Sequence, residues 1–202
     1  MKLFGHRNTI RLQKYDYSDA GWYFVTICTE NRECLFGEIS VGATRGSPFS
    51  KSRGSPFQMK LNDIGKIIKN IWKSLPNHHP VKLDESMIMP NHVHGIIIMR
   101  NANHSVGAIF KSPVVSSNVS GEINFAPTIN ISLSNIIKWY KSKSTINIRT
   151  IMNKTFCWQK SFYDVIIRNE ISLYFIRQYI FDNPKNWNDD RNNICLFDYL
   201  FI

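Results

Sequence analysis

Residues 81–99, VKLDESMIMPNHVHGIIIM, constrain this chain more than any other stretch. Two apolar runs meet at Pro90-Asn91, a pair suited to a tight turn because Pro fixes φ and Asn bonds its own backbone. Residues 81–89 and 92–99 therefore read as consecutive strands. The second carries His92 and His94 inside its apolar run. Side chains alternate along a strand, so both imidazoles project from one face and Val93 from the other. Such a pair is a bidentate nitrogen platform for a divalent metal. The plainer reading is two satisfied polar residues at a strand start, partnered by Asn91 and the turn. The H-E-x-x-H pattern of zinc hydrolases does not occur.

Around this hairpin the periodicity gives further elements. WYFVTIC (22–28) is aromatic and β-branched after Gly21 and reads as a strand, with LFGEI (35–39) as its expected hairpin partner across TENRE. LNDIGKIIKNIWKSL (61–75) has apolar residues at helical spacing, Asn62 or Asp63 as N-cap and Pro76 as its stop. SLSNIIKWYKSKST (132–145) reads as a basic amphipathic helix, DVIIR (164–168) as a strand, and NEISLYFIRQYIFDN (169–183) as a helix ended by Pro184. Residues 40–58, where RGSPF occurs at 45–49 and again at 53–57, and residues 101–130 lack either period. Both read as flexible insertions in a single domain spanning 1–202. With LFGEI set aside, the order is β-α-β-β-α-β-α. That predicts an α+β fold: a ferredoxin-like, split βαβ antiparallel sheet with helices on one face and an added C-terminal helix.

Charge narrows the partners. Lys and Arg number 25 against 15 Asp and Glu, a formal charge of +10, which favours nucleic acid first and an anionic membrane surface second. No apolar run is long enough for a membrane span, and the first residues lack the apolar centre of a signal peptide, so a cytoplasmic protein is expected. Cys28, Cys34, Cys157 and Cys195 form no C-x-x-C pair and indicate neither a zinc ribbon nor a disulfide framework. No Walker A motif implies ATP. Single-strand channels combine positive charge with aromatic stacking. The candidates for that role are Lys138 and Lys141 beside Trp139, Trp158 with Lys160, Arg168, Arg177, and the arm carrying Arg7, Arg11 and Lys14.

MPNHVHGI resembles the HUH signature (histidine, bulky hydrophobe, histidine) of single-strand DNA nucleases. Together with RLQKYDYSDAGWYFVTICTENR, WQKSFYDVIIRNE and YIFDNPKNW, it resembles the REP-associated tyrosine transposases, and the likeness covers most of the chain outside the two insertions. The resemblance implies a nucleophilic tyrosine on the last helix shortly before an N-P step, here Tyr179. It implies a polar metal ligand four residues on, here Asn183, completing with His92 and His94 a site for Mg²⁺ or Mn²⁺. Positions i and i+4 share a helix face, although a residue before proline is disfavoured in the helical region, so fraying is expected at Asn183. The implied reaction cleaves and rejoins single-stranded DNA hairpins through a 5′-phosphotyrosine and a free 3′-OH, without ATP, in a monomer or homodimer. By chemistry alone Tyr163 and Tyr174 are rival nucleophiles. Three other readings stay open: a domesticated, non-catalytic single-strand binder; an RNA-recognition module, against which no RNP-type run occurs; and a hydrolase using water, which would not depend on Tyr179.

Overall fold

The computed structural model describes residues 15–41, 57–100, 131–152 and 155–193. Its order is β1 (Gly21–Cys28), β2 (Gly37–Val41), β3 (Phe57–Leu61), α1 (Asp63–His78), β4 (Val81–Ile88), β5 (His92–Met99), α2 (Leu133–Met152), β6 (Tyr163–Ile167) and α3 (Glu170–Asp182). The main sheet runs β4-β5-β1-β6, antiparallel throughout. With β2 and β3 set apart, this is the ferredoxin-like order expected from the sequence: α1 and α2 each carry the chain past an intervening antiparallel strand.

The sheet is sandwiched. Tyr23, Val25 and Ile27 of β1 and Val93 and Ile97 of β5 face a large cluster with Ile68, Trp72 and Leu75 of α1 and Leu133, Ile136 and Tyr140 of α2. The opposite residues, Phe24 and Ile96, meet Leu173, Ile176 and Ile180 of α3. The expectation of helices on one face therefore holds for α1 and α2, while α3 forms a third layer. The reason lies in β1 and β5, whose consecutive residues are nearly all buried. A strand buried on both faces needs cover on both.

Gly95 shows how close the α1 layer sits. A Cβ at this position would overlap the Trp72 ring. Overpacking of this kind typically costs ~1–3 kcal/mol. Gly95→Ala should lower the urea midpoint accordingly; an unchanged midpoint would show that Trp72 moves aside without cost.

Several local expectations are corrected. LFGEI does not pair with β1, because both edges of β1 are taken by β5 and β6. Instead Gly37–Val41 pairs with Phe57–Leu61 as a separate two-stranded ribbon. The ends of the first insertion are therefore strand; residues 42–56 and residues 101–130 lie outside the described residues. Pro76 does not stop α1 but sits in its final turns. It is exposed there, and the buried Ile71, Trp72 and Leu75 hold the helix around it. Asn62 is the N-cap, accepting from the Gly65 N–H at 2.9 Å. Cys34 is disulfide-bonded, whereas Cys28 and Cys157 are free thiols. Sequence spacing does not register a pair brought together by the fold.

Candidate active site

The site grows from the Pro90-Asn91 turn. Met89 N–H donates to His92 O at 2.8 Å, closing the link between β4 and β5. His92 and His94 then point to the α3 side, opposite Cys28 and Thr26 of β1. Both are essentially fully buried. Their Nε2 atoms face each other at 2.9 Å. The outer nitrogens are held by neighbours: His92 Nδ1 lies 2.8 Å from Asn91 Oδ1, and His94 Nδ1 lies 2.9 Å from Thr26 Oγ1.

α3 starts at an Asn169 cap, whose side chain accepts from Ser172 N–H at 2.8 Å. Its buried stripe of Leu173, Ile176 and Ile180 turns Tyr179 toward the histidines. The phenol oxygen is 3.4 Å from His94 Nε2, and the ring packs edge-on against Phe24 at 6.0 Å. Asn183 is buried and hydrogen-bonds the Tyr179 phenol. The fraying expected before Pro184 does not occur: Asn183 keeps helical angles of φ −57 and ψ −43. Packing overrides the local preference here. Arg177, on another face of α3, forms a two-pronged ion pair with Asp84 of β4 at 2.8 and 2.6 Å, which fastens α3 to the sheet edge.

A residue not singled out from the sequence completes the group. After Pro184 the chain makes a short 3-10 turn, Trp187–Asp189. It returns Asp190 to the histidines, with Oδ2 at 3.9 Å from His92 Nε2. One ligand atom each from His92, His94 and Asp190 lies within 4.8 Å of the others. Asp190 Oδ2 and Asn183 Oδ1 are both buried without a hydrogen-bond partner among the described residues. Two neutral imidazoles and a carboxylate with spare acceptor capacity form a donor set that fits a divalent cation. Trp187, 5.9 Å from the His92 ring, separates this centre from a groove of about 350 Å³. Phe57, Pro90, Pro184 and Lys185 line the groove with it.

Electrostatics keeps both imidazoles neutral. Burial pushes His92 down to about 3, aided by the Arg32 guanidinium. Burial and then the neighbouring His92 push His94 well below its usual range. The His92–Asp190 approach is therefore not an ion pair in this state. Burial, and then the Asp190 charge, raise the Tyr179 phenol to about 12. A consequence for stability follows. Below its ordinary value of 6.5 a histidine in the unfolded chain takes up a proton, while native His92 stays neutral to about 3. The native state then binds fewer protons, so stability present above pH 6.5 drains away as pH falls through that window. In chelator-treated protein the urea midpoint should drop from ~pH 7.5 to ~pH 5. A His92→Gln/His94→Gln variant should drop less, and parallel curves would contradict the assignment.

The remaining sequence candidates disperse. Trp158 is a core residue whose indole N–H donates to Ser144 Oγ at 2.9 Å, so it offers no stacking face. The Lys141 ammonium is spent on the Gln159 and Ser161 carbonyls at 2.7 and 2.8 Å. Arg177 is committed to Asp84 and lies over Trp22. Lys138 and Arg168 are exposed. Arg7, Arg11 and Lys14 lie outside the described residues. Of the rival tyrosines, Tyr174 is exposed on α3. Tyr163 is also exposed, on the histidine face of the sheet, with Arg191 over its ring at 5.3 Å. Among the described tyrosines, Tyr179 is the one hydrogen-bonded to the histidine pair. No helix among the described residues is long and apolar enough to cross a membrane.

No protein-family model matches the chain. Among solved structures it is similar to a REP-associated tyrosine transposase bound to a REP hairpin, at 13% identity and a TM-score of 0.48 over 88% of this chain and 73% of that one. It is 32% identical over 197 residues to an uncharacterized protein of Haemophilus influenzae, with 92% of each chain covered. The chain belongs to one family with that Haemophilus influenzae protein.

Proposed function

We propose that this protein is a metal-dependent tyrosine transposase that cleaves and rejoins single-stranded DNA at hairpin-forming sequences. The observation that carries the reading is the Tyr179 phenol 3.4 Å from His94 Nε2, beside buried Asn183 and Asp190 oxygens that lack partners. A candidate nucleophile and a cation-binding donor set are thereby brought side by side. The net charge of +10 suits a polyanionic substrate, and the sequence phrases shared with REP-associated tyrosine transposases point the same way.

His92, His94, Asp190 and Asn183 would hold Mg²⁺ or Mn²⁺, which acts as a Lewis acid toward a scissile phosphate and is worth several kcal/mol in such sites. The chain's own residues do the rest. Asn183 donates to the phenol oxygen and aims it. Tyr179 forms the new oxygen–phosphorus bond and gives up its phenolic proton. The bond from phosphorus to the 3′ oxygen breaks, and that oxygen leaves as a 3′-OH after taking a proton. The product is a 5′-phosphotyrosine, whose ester can be attacked by a 3′-OH in the reverse sense, so no ATP is required. Burial of the pair excludes competing water. The groove lined by Trp187 and Lys185, one ring away from His92, would seat an unpaired strand beside the centre.

The test uses labelled single-stranded hairpins from DNA flanking the gene, incubated with protein and Mn²⁺ and run on a denaturing gel. A covalent protein–DNA band that requires the metal supports the reading. Binding without any adduct would favour a domesticated binder. Cleavage without an adduct would favour a water-using hydrolase.

A further inference from the structure

The structure gives Asn91 an unusual set of partners. Its side-chain amide donates twice to backbone carbonyls, to Arg32 O at 2.8 Å and to Asn192 O at 2.7 Å. Both acceptors are carbonyl oxygens, so the orientation of the amide is settled: Nδ2 faces them and Oδ1 faces His92. Oδ1 can only accept. The 2.8 Å contact to His92 Nδ1 must therefore be an Nδ1–H donating to Asn91. A neutral imidazole carries one N–H, which leaves His92 Nε2 as a bare lone pair aimed at the centre of the site.

That assignment propagates. The two Nε2 atoms are 2.9 Å apart and need one proton between them. With His92 Nε2 bare, His94 supplies it, and His94 Nδ1 accepts from the Thr26 hydroxyl at 2.9 Å. Thr26 differs from Asn91 in one respect. A hydroxyl can donate or accept, so His94 can exchange its tautomer while His92 cannot.

The same side chain also ties the site's pieces together. Arg32 and its neighbour Asn31 have φ of 56 and 53, a left-handed conformation costly for non-glycine residues. The carbonyl of that strained Arg32 is one that Asn91 holds. The other, Asn192 O, lies two residues beyond Asp190.

We propose that Asn91 is a positioning residue that fixes His92 in its Nδ1–H tautomer, so that the Nε2 lone pair stands ready for the cation, while tethering the segment that brings Asp190 to it. This rests on the metal-site reading of His92 for its purpose, but the tautomer itself is a property of the metal-free chain.

The experiment records two-bond ¹H–¹⁵N spectra of histidine-labelled, chelator-treated protein at ~pH 7.5. Wild type should show His92 protonated on Nδ1. Asn91→Asp keeps the acceptor and should keep that tautomer, whereas Asn91→Leu removes it and should shift the population toward Nε2–H. Mn²⁺ affinity should fall by about 10–100-fold in Asn91→Leu, the usual loss when a partner behind a ligand is removed. A wild-type His92 protonated on Nε2 overturns the proposal, and so does an Asn91→Leu spectrum unchanged from wild type. If the leucine variant does not fold, the wild-type and aspartate spectra decide alone. Wild-type protein with the Nδ1–H tautomer but no Mn²⁺ binding would sink the metal reading and leave the tautomer assignment standing.

Discussion

Tyr179→Phe is expected to abolish the covalent protein–DNA adduct while leaving the fold intact. The substitution removes one oxygen. The ring keeps its edge-on packing against Phe24 and its place 5.2 Å from His94, so the cost in stability should be about 1 kcal/mol, that of a net hydrogen bond. The cost in chemistry is of a different order, because no other described tyrosine hydrogen-bonds the histidines. Removal of a nucleophile can lower turnover by ~10⁶-fold, and a drop of at least ~10⁴-fold is expected in strand cleavage, with hairpin affinity largely kept. The native phenol is held near 12 by burial and the Asp190 charge, so it is neutral at rest and becomes nucleophilic only as its proton departs. Cleavage at near wild-type rate in the phenylalanine variant would transfer the role to Tyr163 or to water.

His94→Ala should remove cation binding. His94 supplies an Nε2 that faces His92 and the Tyr179 oxygen together, so its loss breaks both the donor set and its link to the Tyr179 phenol. Affinity for Mn²⁺ should fall by more than the ~100-fold associated with an indirect partner. A thermal scan reads this without any DNA. At ~100 times its dissociation constant a cation bound only by the native state stabilises by about 2.7 kcal/mol. Wild type should therefore melt higher with Mn²⁺, and His94→Ala should melt at one temperature with or without it. An equal upward shift in both proteins would place the cation elsewhere. Because the variant also opens a cavity and leaves the Thr26 hydroxyl without its partner, its own midpoint should be lower from the start.

What could be read from the sequence was what repeats along one element. The alternation through His92, Val93 and His94 gave the shared face, and the four-residue step from Tyr179 to Asn183 gave the shared helix side. The hairpin at Pro90-Asn91 followed from turn chemistry, and cap chemistry narrowed the start of α1 to Asn62 or Asp63, of which the structure uses Asn62. Asp190 was not legible. It belongs to irregular chain after Pro184, and only the fold returns that chain to β5. Two of the DNA-contact candidates, Lys141 and Trp158, were misjudged for a related reason: a lysine or tryptophan does not announce its burial. Lys141 and Trp158 are consumed in joining α2 to the irregular segment at 156–162. LFGEI was misplaced because its nearest strand in sequence had no open edge in space.

The two apolar layers differ greatly in size. α1 and α2 share an extensive core with one sheet face, whereas α3 rests on a small cluster around Phe24, Ile96 and Ile176 and on the Asp84–Arg177 clasp. Regions with fewer buried contacts open at lower free energy than the whole domain. Tyr179, the proposed nucleophile, thus rides on the layer expected to let go first. On warming, Tyr179 would part from the histidines while the sheet was still folded, so the temperature range over which the site stays assembled would be set by that small cluster and clasp and not by the main core.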